Sequence, residues 1–177
     1  MGVPVMDSTT PATSVTVLDE EPALLELLYL RHAWRLRTRT TVPELDPVPD
    51  RGESAMPGTL SKEAWTALWD VTWASARGLG GGTARSWADV GGWNGLDREA
   101  CRTWMLSLPR ADGDAFEALV TDELAAAAER GLRVLRVLPY RGHFVEQDDE
   151  KSLTVSWKTR ASRADYAQAL QRFEEEE

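Results

Sequence analysis

Cys101 is the only cysteine in the chain, so no intrachain disulfide can form. It sits beside Arg102 near a predicted helix start, a setting that can lower a thiol pKa, but no spacing links it to a histidine. It therefore reads foremost as a buried structural cysteine. Histidine is nearly as scarce, since only His32 and His143 occur, on separate predicted elements. A zinc site needs three or four ligands, so no metal site and no cofactor are expected. Lysine is restricted to Lys62, Lys151 and Lys158; with arginine and alanine abundant, the composition suits a GC-rich bacterial or phage genome.

Long hydrophobic runs are also missing. None reaches the ~18 residues that would span a bilayer. The opening "MGVPVMDSTTPATS" lacks the basic start and apolar core of a signal peptide, and Met6 occupies the position where a myristoylation signal carries Ser or Thr. A soluble, cytoplasmic protein with no membrane partner is the expectation. Catalytic signatures are absent too. "GLGGG" (78–82) follows a helix instead of a strand and is not followed by Gly-Lys-Ser/Thr, so it fails as a phosphate loop. There is no Gly-x-Ser-x-Gly elbow and no His-Glu-x-x-His.

The net charge of −9 suggests an acidic mimic until its distribution is considered. Residues 1–22 hold Asp7, Asp19, Glu20 and Glu21 without a base, and Glu174 to Glu177 close the chain. Those eight carboxylates leave residues 23–173 at −1. The acidity then solvates the ends. The one basic run is Arg31, Arg35, Arg37 and Arg39, which reads as cations gathered at a helix C-terminus, where the macrodipole favours them. No nucleic-acid partner is expected.

Local pattern predicts a mainly helical chain. Residues 1–13 are polar and expected to be disordered, and 14–18 resemble a short strand. Residues 19–37 read as a helix with Asp19 or Glu20 as cap and Pro22 in its first turn. Residues 40–58 contain Pro43, Pro47, Pro49 and Pro57 and predict a mobile or recognition loop. A helix follows from Thr59 or Ser61 to Gly78, then the glycine-rich 78–95 with Trp87 and Trp93. Further helices are expected over 96–108, with Asp97 near its cap, and over 112–131, opened by Asp112 and Asp114. Strands are expected over 132–140, around 142–147 and over 153–159, with "QDDEK" (147–151) as a solvated turn. Leu153, Val155 and Trp157 share one strand face. Ser162 and Asp165 cap a last helix striped by Tyr166, Leu170 and Phe173. The fold class is α+β: one helical domain over 14–173 with a small C-terminal antiparallel sheet of two or three strands, then an acidic tail, 174–177.

Eight tryptophans are the distinctive feature, and "WTALWDVTW" sets Trp65, Trp69 and Trp73 four apart. At ~100° per residue they form one stripe, opposite Leu60, Ala64, Leu68 and Val71. A helix apolar on both sides is expected to lie centrally, with Trp69 buried and Trp73, nearest the polar arc, the most exposed. Trp73, Trp87 and Trp93 are the candidates for a partner-binding surface, since tryptophan is enriched in binding hot spots. The chemical candidates are His143 with Glu146, and Cys101. The functional expectation is a non-catalytic module that binds another protein, of immunity, inhibitor, adaptor or assembly type. The alternative is a small enzyme using His143 and nearby carboxylates.

Overall fold

The computed structural model describes residues 14–19, 21–78, 87–110 and 115–173. The expectations for residues 1–13, the Glu20 cap, the turn at 79–82, Asp112, Asp114 and the tail 174–177 fall outside them. In chain order the elements are β1 (Thr16–Leu18), α1 (Pro22–Ala33), α2 (Lys62–Ala76), α3 (Arg98–Ser107), α4 (Thr121–Glu129), β2 (Val134–Leu138), β3 (Val145–Asp149), β4 (Ser152–Ser156), α5 (Trp157–Ala161) and α6 (Arg163–Gln171). Single 3-10 turns lie at Gly92–Gly95 and Glu117–Leu119. The α+β class holds.

The sheet differs from the expected one. It has four strands in the order β1-β2-β4-β3 and is mixed. β1 pairs parallel to β2, β2 parallel to β4, and only β3 runs antiparallel to β4. The sheet is not confined to the C-terminal part, because β1 precedes every helix. Its three residues carry too little pattern to announce a partner more than a hundred residues away. Leu135, Val137, Leu153 and Val155 share one face with Val120, Ala127, Tyr166, Leu170 and Phe173, a core built between the sheet and α4 with α6. All five residues of β4 are buried, so Thr154 and Ser156 face protein too. Trp157 leaves the strand pattern and opens α5, because the Ser156 side chain accepts from Thr159 N and caps a helix there. Local capping of this kind also starts α2 at Ser61, α3 at Asp97 and α6 at Ser162. The predicted helix over 112–131 is shorter, with a 3-10 turn before Thr121 and no side-chain cap at Val120.

A second core belongs to the helices. α1 buries Leu24, Leu27, Leu28, Tyr29 and Leu30 almost completely. Trp65, Trp69 and Trp73 of α2 are at most 1% exposed, so Trp73 is as buried as its neighbours. The Trp69 and Trp73 rings stack at 5.1 Å, and Trp69 Nε1 donates to Leu27 O at 2.7 Å. Trp34, Trp65 and Trp87 form a cluster with centroids 5.2–5.6 Å apart. The opposite side of α2 is not a second core face. Ala64, Ala67 and Val71 are exposed there, while Leu60 and Leu68 touch the core only at its margin.

The segment 40–58 is packed instead of loose. Val42 and Leu45 are buried, and Leu45 bridges to Tyr140. Trp104 Nε1 donates to Pro47 O and Trp65 Nε1 to Pro57 O, at 2.8 and 2.9 Å. A buried indole N–H needs an acceptor, and the Pro47 and Pro57 carbonyls, outside any strand, supply one each.

Candidate functional site

The structure does not assemble the chemical candidates. His143 is exposed and its Nδ1 stands 3.4 Å from Asp165 Oδ2. The Glu146 carboxylate turns elsewhere, to Arg77 at 3.3 Å. Cys101 lies in the helical core, and burial pushes its thiol up to about 12, which favours the protonated form at neutral pH. Among the described residues no group of three or more His, Cys, Asp or Glu side chains could hold a metal. The tryptophan candidates are also displaced: Trp73 and Trp87 are core, and Trp93 is half-buried against Trp87 at 6.0 Å. A stripe of aromatics on one helix face packs inward wherever a cover exists, and here α1 and the segment 40–58 provide it.

Two buried ionic clusters went unforeseen. Asp148, expected in a solvated turn, has a fully buried side chain. A register shift between Gln147 and Asp149 gives β3 an extra residue, and this bulge points Asp148 into the protein. Its carboxylate accepts from Arg77 Nη2, from Arg136 Nη1 at 3.2 Å and from Thr154 Oγ1 at 2.6 Å. Arg136 also donates to Arg77 O at 3.0 Å and meets Glu21 at 3.3 Å. Asp148 thus joins the end of α2 to three strands, and Arg136 extends the tie to Glu21 at the start of α1. Burial raises the Glu21 carboxyl above its usual range, against the pull of Arg136. The second cluster centres on Arg160, which grips Glu117 with two 2.9 Å bonds and donates to Asp19 at 2.9 Å. Tyr166 OH donates to Glu117 at 3.0 Å. Burial opposes ionisation of Glu117, but the Arg160 and Tyr166 hydrogen bonds outweigh it and hold the carboxyl below its usual range. Both clusters tie elements of the fold together.

What stays open is surface. A groove of about 470 Å³ runs between residues 48–52 and α3, floored by Ala100, Thr103 and Trp104 and rimmed by Asp50 and Glu99. Val48, exposed by 53%, lines it, and Leu106, exposed by 58%, lies on the same helix α3 outside the lining. A smaller cleft of about 390 Å³ lies between Arg37, Arg39 and α2. The arginine run is not a helix terminus: α1 stops at Ala33, and Arg35, at φ 52°, turns the chain out of it. Only Arg31 and His32 occupy the last turn. Comparison with protein-family models, curated proteins and solved structures returns no match.

Proposed function

We propose that the chain is a non-catalytic, cytoplasmic protein-binding module whose contact surface is the groove between residues 48–52 and α3. The observation that carries this is the pairing of exposed Val48 with Ala100 and Trp104 on the floor and an acidic rim of Asp50 and Glu99. An apolar surface rimmed by polar residues is the pattern of a contact site. The Asp97 carboxylate is spent on the N–H groups of Glu53, Glu99 and Ala100, but Glu99 on the rim faces outward. The occupant that fits is a segment of another protein with an apolar residue next to an arginine or lysine. Its aliphatic stem would lie on Val48 and Trp104 and its charge against Asp50 and Glu99. No helix among the described residues is long and apolar enough to cross a membrane. The thiol that the chain carries is buried, as suits a reducing compartment. The test is affinity capture from the native cell with wild type and with a Val48→Asp/Leu106→Asp variant of equal melting temperature. A protein held by wild type and lost by the variant is the expected result. A partner retained equally by both would place the contact elsewhere and overturn this reading.

A further inference from the structure

The cleft beside Arg37 and Arg39 is built from side chains that the fold leaves unspent. Beyond α1 the chain alternates in exposure: Arg35, Arg37 and Arg39 face out, Leu36 is 4% exposed and Thr38 is half-buried. The backbone of this stretch is fastened on both sides. Leu36 N donates to Arg31 O, and Arg31 donates to Thr38 Oγ1 and to Val42 O. Across the cleft, Asp70 of α2 accepts from Arg39 N at 3.0 Å and Thr40 N at 3.3 Å. Lys62, in the first turn of α2, supplies a third cation on the opposite wall, above Thr66 and Ala67.

Among the described residues none of Arg35, Arg37, Arg39 and Lys62 forms an ion pair or a side-chain hydrogen bond. Two acids also face the cleft. Asp70 holds the backbone amides just named. The Glu63 carboxyl is kept below its usual range by its own backbone N–H and by the Ser61 hydroxyl, at the start of α2. So Asp70 serves as a fastener, and the Arg37 and Arg39 side chains are presented.

We propose that this cleft is a second docking surface, distinct from the groove at α3, and that it takes an acidic, extended peptide segment of a partner protein. Carboxylates on alternate residues of an extended peptide, at most about 7 Å apart, can meet Arg37 and Arg39 on one wall and Lys62 on the other. Ala67 and Val71 on the exposed side of α2 offer small apolar neighbours for its backbone. A single-stranded nucleic acid is the weaker fit, because no aromatic ring lines the cleft to stack on bases.

The proposal is tested with the full chain, ¹⁵N-labelled, titrated with a synthetic peptide of alternating glutamate and alanine. Parallel titrations use inorganic phosphate and a single-stranded oligonucleotide. The expected result is saturable shifts confined to residues 36–40 and 62–71, weakened by salt and weakened at least tenfold in Arg37→Glu/Arg39→Glu. If that variant fails to fold, Arg37→Gln/Arg39→Gln with Lys62→Gln replaces it, since neutral side chains leave the backbone fasteners intact. Val48→Asp/Leu106→Asp should leave the titration unchanged, which separates this surface from the groove at α3. Absence of saturable binding, shifts centred elsewhere, tighter binding of phosphate or oligonucleotide than of peptide, or equal peptide binding by the variant would each overturn it.

Discussion

Trp73 is stacked on Trp69 and has the Arg77 guanidinium 5.6 Å from its ring centroid. Its place in sequence next to the polar arc of α2 says nothing of this, because Arg77 reaches Asp148 and brings the sheet over it. Replacing either tryptophan with alanine removes a buried ring, and ~3–5 kcal/mol is the expected cost in both cases. Denaturant titration of the two variants checks it; a Trp73→Ala protein as stable as wild type would put that ring outside the core. Asp148 is a stricter case. Asp148→Asn keeps the shape but leaves two guanidiniums in a site where the arginine side chains are 5% and 8% exposed. Breaking one partner of a buried pair costs ~3–5 kcal/mol. Asp149→Asn, one residue on, should change little, and equal losses at both positions would show that the bulge does not direct Asp148 inward.

At the scale of elements, local signals were readable and distant ones were not. Ser61, Asp97 and Ser162 announce their helices because a cap bonds to N–H groups two or three residues away. β4 was readable from its alternation, apart from the point where Ser156 starts a helix. β1 and the bulge in β3 were not, since each depends on a partner strand that no local pattern names. The same holds for the candidate surfaces. Arg35, Arg37 and Arg39 looked like the end of a helix until Arg35 broke it, and the groove exists only because residues 48–52 fold against α3. The segment 40–58 misled for a related reason: prolines and polar residues describe a loop, but the two tryptophan N–H donors that close it come from α2 and α3. Its interior amides should consequently be protected. Ala55 N donates to Gly95 O at 3.1 Å and Asp46 N to Pro139 O at 2.9 Å. Hydrogen exchange at these amides should be slowed well beyond that of exposed Arg51. Gly95 makes the same point by size, because a Cβ there would fall 2.2 Å from Ala55 O and 2.6 Å from the Trp34 ring.

The whole molecule has two cores, and polar ties bind them into one unit. The Asp148 cluster links the helical core to the sheet. The Arg160 cluster links Asp19, just after β1, to Glu117, α5 and α6, and the guanidinium also lies 5.5 Å from Phe116 and 5.2 Å from Trp157. This second tie makes stability depend on pH in a direction that can be worked out. The folded value of Glu117 lies below its unfolded 4.5. The folded state therefore binds fewer protons in that window, and the stabilisation is complete above the unfolded value and lost as pH falls through the folded one. Glu21 acts with the opposite sign. Its folded value lies above 4.5, so its contribution is present below that pH and lost as pH rises through the raised value. Glu117→Gln should lower stability near neutral pH by about 1–3 kcal/mol, the cost of leaving Arg160 and Tyr166 short of an acceptor. The gap between variant and wild type should close as the solution is acidified below the unfolded value. Glu21→Gln should change the acid limb in the other direction. Denaturant midpoints measured across the acid range for the three proteins decide the matter; a gap for Glu117→Gln that persists unchanged into strong acid would mean that the carboxylate is not what Arg160 holds.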